Sequence, residues 1–310
     1  MSTLTDLLRA RSGGIPFRRR TRIIVLSAAT AGVGILVVLV VLAGAPHSPP
    51  HSPLSSSPPR TAVTVPPAKA KNTPYPIGRQ DKSEPSGMAP PGKDALPGYG
   101  QTYANDFNGA KLPTGWEKYS GVPGGDPGSQ WGLAHVVVGN GMLQLKTYED
   151  PAYGGKWVTG GLCQCGHSQT YGAYFVRSRV TGAGPTNVEL LWPAAPVWPP
   201  EIDFNETGGA TVGTSATVHW GADSNVDQRA DQTVIMTQWH TWGVIWTPTS
   251  ITYTVDGQVW GTVTLASEIP DQPMTLDLQQ QASCFPGYTY ACPTAPVSMQ
   301  IDWVAEYAPK

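Results

Sequence analysis

Charge is scarce in this chain, and no excess of one sign makes up for it. Only 14% of the 310 residues are charged, and 20 basic against 22 acidic side chains leave a formal net charge of −2. Proteins that grip nucleic acid do so with a surplus of Lys and Arg, so that function class has no electrostatic support. Aromatics are missing more selectively. The first 98 residues contain only Phe17 and Tyr75, while all eleven tryptophans fall between Trp116 and Trp303. A core must offset lost conformational entropy with large buried apolar side chains, and the N-terminal third has too few. Residues 98–310 show no sustained helical period, and the chain has no internal repeat. The first absence leaves an all-β domain; the second argues against propellers and solenoids.

One stretch lacks charge altogether. Ile23 to Gly44 is 22 apolar or small residues, about 33 Å as a helix, enough to cross a bilayer core of about 30 Å. Arg9, Arg11, Arg18, Arg19, Arg20 and Arg22 precede it, and no Lys or Arg follows until Arg60. This asymmetry predicts a cytoplasmic basic tail (1–22), a single-pass transmembrane helix (23–44) in the cell membrane, and an extracytoplasmic remainder. The rival reading is a signal peptide cut near Ala43-Gly44-Ala45, giving a secreted protein. The length of the apolar run, and Pro46 directly after the scissile bond, favour the anchor. Residues 46–97 hold fourteen of the 31 prolines, which predicts an extended, disordered Pro-rich linker over 45–97.

The remaining 98–310 is a normal size for one β domain. Period-two alternation predicts strands over Tyr171–Val180, Ala216–Trp220, Trp239–Trp246, Met274–Leu278 and Met299–Val304. Ile251–Trp260 reads as a hairpin about Asp256-Gly257, because Asp-Gly suits a tight primed turn. Many short strands joined by turn residues predict a β-sandwich of the jelly-roll type. In an oxidising compartment Cys163, Cys165, Cys284 and Cys292 are expected to form disulfides. Cys284–Cys292 is the most economical pair, whereas a direct Cys163–Cys165 bridge is expected to be strained. The spacing does not match zinc ligands, and no metal is assigned.

Trp198-Pro-Pro-Glu201-Ile-Asp203-Phe-Asn-Glu206 carries the chemistry. On a regular strand Glu201 and Asp203 share one face, with Ile202 and Phe204 on the other. Glu206 has the wrong parity, and a β-bulge near Asn205 corrects it. Three crowded carboxyls raise at least one pKa, and glycoside cleavage needs that: one carboxylate beside one protonated carboxyl. An acidic, solvated edge strand is the plainer explanation, but the neighbouring Trp192 and Trp198 suit stacking on sugar faces.

Glu201-Ile-Asp203-Phe-Asn-Glu206 resembles the Glu-x-Asp-x-x-Glu motif of glycoside hydrolase family 16, and Trp198-Pro199 resembles the pair that often introduces it. The segments starting at Tyr171, Trp239 and Met299 also resemble the family's strands, in order. The resemblance implies a concanavalin A-like jelly roll with a cleft, and a retaining endo-glycanase for a β-1,3- or β-1,3-1,4-glucan. It implies Glu201 as nucleophile, Asp203 as assisting carboxylate and Glu206 as acid/base, with Trp192, Trp198 and His219 binding the polysaccharide. Pro200 stands where many members have Gly. Some members hold structural calcium, but no carboxylate cluster in this sequence supports it, and no cofactor is expected. A transglycosylase and a non-catalytic sugar-binding module are the alternatives, and a monomer is the expected state.

Overall fold

The computed structural model describes residues 75–124, 126–222, 225–284 and 292–310, without the side chain of Gln232. The expected tail, anchor and first part of the linker lie outside the described residues. Among the described residues no helix is long and apolar enough to cross a membrane.

The strands follow in chain order as β1 (Arg79–Gln80), β2 (Met88–Ala89), β3 (Tyr99–Asn105), β4 (Glu117–Lys118), β5 (Val136–Gly139) and β6 (Met142–Asp150). Next come β7 (Lys156–Val158), β8 (Gly161–Cys163), β9 (Gly172–Val180), β10 (Thr186–Pro193), β11 (Glu201–Glu206) and β12 (Val212–Trp220). The last are β13 (Asn225–Ile235), β14 (His240–Thr247), β15 (Ser250–Val255), β16 (Gln258–Val263), β17 (Met274–Gln281) and β18 (Val297–Pro309). Among the described residues helix is confined to single 3-10 turns, one of them Ala266–Glu268.

A seven-stranded sheet runs β13-β12-β11-β10-β17-β8-β4, and a nine-stranded sheet runs β16-β15-β14-β9-β18-β6-β5 with β3 and β7 paired at its side. Neighbouring strands are antiparallel throughout both large sheets. Leu191, Ile202, Phe204 and Leu276 from one sheet meet Val176, Val244, Ile301 and Val304 from the other in a single buried core. That makes the domain a β-sandwich, as the alternation predicts. The Asp256-Gly257 hairpin forms between β15 and β16, with φ of 47° and 76° at its two central residues. A primed turn needs both to be positive.

Two sequence expectations require correction. The expected linker boundary at residue 97 is too late, because residues 75–97 pack on the nine-stranded sheet. Leu96 and Tyr75 cover Trp303, Tyr307 and Phe175 in a second apolar cluster. Thr241 Oγ1 donates to Ile77 O at 3.0 Å, Ser86 N to Asp302 Oδ2 at 3.1 Å, and Tyr307 Oη to Gly92 O at 2.9 Å. A Pro-rich segment low in apolar residues reads as disordered on composition alone, but here it borrows a core from the sheet beneath.

The second correction is covalent. Cys284 pairs with Cys292 as expected, and Cys163 pairs with Cys165. On a straight strand two residues span about 6.6 Å. At the end of β8 the chain turns instead and brings the two Cα atoms to 5.0 Å, within the usual range for a bridge.

Candidate active site

β11 lies between β10 and β12, well inside the seven-stranded sheet. Ile202 and Phe204 are fully buried in the core, which turns Glu201 and Asp203 to the sheet's outward face. Glu201 pairs with His219 and Asp203 with Thr217, but the next pair is Glu206 with Ser215. Three steps along β11 therefore match two along β12, so one extra residue is inserted at Phe204–Asn205. This is the expected bulge, and it returns Glu206 to the face of the other two carboxyls. Asn205 is itself buried, and Thr214 Oγ1 donates to its Oδ1 at 2.6 Å while lying 3.2 Å from Glu206 O. A hydroxyl on the neighbouring strand thus fastens the bulge.

The side chains around the carboxyls converge. Trp198 Nε1 donates to Glu201 Oε2 at 2.7 Å, and His219 Nε2 lies 3.3 Å from Asp203 Oδ2. The Trp198 and His219 rings are 5.7 Å apart. Trp198 remains 44% exposed, leaving much of its surface for a ligand. Trp192 on β10 lies one residue beyond the Leu191–Ile202 pair, which puts it beside Glu201 on the same face, part-exposed. The structure therefore gathers all six expected site residues, five on one face of β10, β11 and β12 and Trp198 reaching in from the connection before β11.

Burial pushes Glu201 well above the ordinary carboxylate range, and repulsion from Asp203 and Glu206 adds to it. His219 and the Trp198 indole act the other way on Glu201. Asp203 is raised well above its ordinary value by burial and by Glu206, with hydrogen bonding to Glu201 opposing. Crowding of this kind favours keeping a proton within the set. One donor atom each from Glu201, Asp203 and His219 lie within 4.8 Å of one another. Among the described residues this is the one cluster of such donors compact enough to hold a cation.

Sequence reasoning missed a second group on this face. Asp277 on β17 pairs with Leu190, which in turn pairs with Asp203. Asp277 accepts hydrogen bonds from Tyr119 Oη and, at 3.0 Å, from Thr275 Oγ1. Burial pushes its carboxyl up to about 7. Beside it the Tyr119 and Trp131 rings lie 4.9 Å apart. A Cβ on Gly161 of β8 would sit 2.9 Å from Tyr119 Cδ2 and 3.0 Å from Trp131 Nε1, so the glycine is what lets these rings close onto the sheet. The signal was the polar parity of Thr275 and Asp277 in an apolar strand, but only strand order links it to Asp203.

The model of the family described as Glycosyl hydrolases family 16 matches residues 126–305. Similar solved structures include the laminarinase catalytic domain of Thermotoga maritima MSB8, at 18% identity and TM-score 0.59, covering 68% of this chain and 99% of that one. The laminarinase of Rhodothermus marinus is 20% identical at TM-score 0.61, covering 67% and 97%. The endo-β-1,3-glucanase of Pyrococcus furiosus is 20% identical at TM-score 0.57, covering 68% and 94%. At these identities the likeness establishes the fold. No curated protein sequence matches.

Proposed function

The chain belongs to family 16 of the glycosyl hydrolases, a glycoside hydrolase acting on O-glycosyl bonds, and on that premise we propose that it cuts a β-glucan internally by double displacement. Glu201 attacks the anomeric carbon while Glu206, protonated, gives its proton to the departing glycosidic oxygen. The C–O bond to the leaving sugar breaks as the bond from Glu201 forms. Glu206 then takes a proton from water, whose oxygen displaces Glu201 with a second inversion. Trp198 and His219, the two groups that favour the ionised form of Glu201, suit it to the nucleophile's role. Asp203, hydrogen-bonding Glu201 and repelled by Glu206, helps to apportion the site's proton between them.

The observation that carries this reading is the bulge at Phe204–Asn205, which puts both glutamates on one face with an aspartate between them. The names of the structurally similar laminarinases and endo-β-1,3-glucanase favour a β-1,3- or mixed-linkage glucan as substrate. The open aromatic face, with Trp192, Trp198 and His219 around the carboxyls, supports a polymer rather than a small glycoside. The apolar run at 23–44 serves as a membrane anchor in this reading, with the sandwich outside the cell. Two disulfides are consistent with an oxidising compartment.

The test is reducing-sugar release by the full chain from a panel of β-glucans, with proton NMR following the anomer first formed. Cleavage that begins with the β-anomer supports double displacement. First appearance of the α-anomer would overturn it, and release that persists in Glu201→Ala would remove Glu201 from the nucleophile's role.

A further inference from the structure

A cavity of about 350 Å³ opens beyond the Glu201 end of β11. It lies between three connections: the one leading into β11, the one leaving β12, and the one that carries the 3-10 turn Ala266–Glu268 towards β17. Trp198, Pro199, Pro200 and Trp220 contribute apolar walls. Ser267, Glu268, Asp271 and Gln272 contribute the polar side chains, and among the described residues no Lys, Arg or His lines it. Trp198 belongs to both places, since its indole also donates to Glu201. Whatever occupies the cavity is therefore continuous with whatever occupies the active site.

The direction of the polymer decides what that occupant is. In double displacement the two glutamates flank the scissile bond, so the sugar chain passes between them. Glu201 and Glu206 are spaced along β11, and a chain passing between them crosses the strands. The aromatic side chains follow that course, from His219 on β12 through Trp192 on β10 to Tyr119 and Trp131 over Gly161 on β8. The cavity lies off this course, on the extension of β11 past Glu201. Its occupant is then lateral to the backbone of the polymer.

We infer that this cavity receives a neutral glycosyl side branch carried by the polysaccharide at or next to the sugar being cut. The inference rests on the proposed glucan-cleaving activity. Indole and proline faces pack against the apolar face of a pyranose, and carboxylates accept its hydroxyls. Two acidic side chains in a lining that holds no cation among the described residues disfavour a sulfated or uronic acid branch; Arg229, which acts on Glu268 from outside the lining, is itself paired with Asp227. The cavity's volume falls in the range of small-molecule sites, about 300–1,000 Å³.

The experiment compares kcat/KM on linear β-1,3-glucan with that on β-1,3-glucan bearing single 6-linked glucosyl branches, using the full chain. Two variants accompany it: Ala222→Trp, which fills the cavity from an exposed loop position, and Asp271→Ala, which removes an acceptor. One added stacking contact predicts a preference of about ten-fold for the branched polymer. Ala222→Trp is expected to abolish that preference and Asp271→Ala to reduce it, each leaving cleavage of the linear glucan within about two-fold. Cleavage of linear glucan with no preference for branches overturns this inference and leaves the proposed activity standing. So does a preference that both variants retain. Failure of the wild type on both polymers overturns the two together.

Discussion

The sandwich buries acidic side chains in two ways, and setting them side by side separates a site from a cost. On the outward face of the seven-stranded sheet, Glu201, Asp203 and Glu206 crowd one another, within reach of Trp198 and His219. In the interior between the sheets, Glu189 and Glu306 are fully buried. Burial pushes each of these two up to about 8. Ser178 Oγ donates to Glu189. Among the described residues neither carboxylate oxygen of Glu306 has a hydrogen-bond partner, although His167 Nε2 is 3.4 Å away. A raised carboxyl is thus common to both regions and does not by itself mark catalysis. Several carboxyls converging on an accessible face, with aromatic rings beside them, do.

Mutation of matched acids provides the largest contrast. Glu201→Ala and Glu206→Ala are each expected to lower polysaccharide cleavage by about a thousand-fold or more, with circular dichroism unchanged. Glu306→Gln is expected to keep the wild-type rate; a comparable collapse there would erase the distinction. Asp203→Asn should cost less, on the order of ten- to a hundred-fold in kcat, because in the proposed mechanism Asp203 adjusts the proton's distribution without forming or breaking a bond to the sugar.

The bulge gives an intermediate effect. Thr214→Val removes the hydroxyl that fastens Asn205 and should lower stability by about 1–2 kcal/mol in urea unfolding. Activity on a poor leaving group, where Glu206 matters most, should fall further than on an activated aryl glycoside. Equal losses on the two would separate the bulge from the aim of Glu206.

The smallest effect on activity belongs to the interior acids, whose signature lies in stability and pH. Glu189 and Glu306 bind their protons more tightly in the folded chain than at the ordinary value of 4.5. The folded state therefore has its full benefit below about 4.5 and loses it as pH rises through about 8. Glu189→Gln and Glu306→Gln should each flatten the fall in Tm across that window, and an unchanged slope would mean the carboxyls ionise without penalty.

Much of this was legible in the chain. Period-two alternation marked the principal strands, and the parity conflict of Glu206 located the bulge to within one residue, because a carboxyl among core side chains is costly. What stayed hidden depended on neighbours distant in sequence. Asp277 joins the site only because β17 and β10 are adjacent. The Cys163–Cys165 bridge depends on a turn that local alternation does not reveal. Residues 75–97 look like linker because their partners, Trp303 and Tyr307, stand more than 200 positions later.

That last arrangement bears on how the domain can be transplanted. The stretch shared with the family begins at residue 126 and ends at 305, and it includes all three carboxyls of β11. It omits β3, the strap at 75–97 and the end of β18, and so leaves Trp303 and Phe175 without the cover they have here. A graft cut at the family's borders would carry the chemistry into its host with one flank of the sandwich bare and adhesive. The smallest portable unit of this protein is therefore larger than its recognisable one, and it takes in the strap from Tyr75 onward.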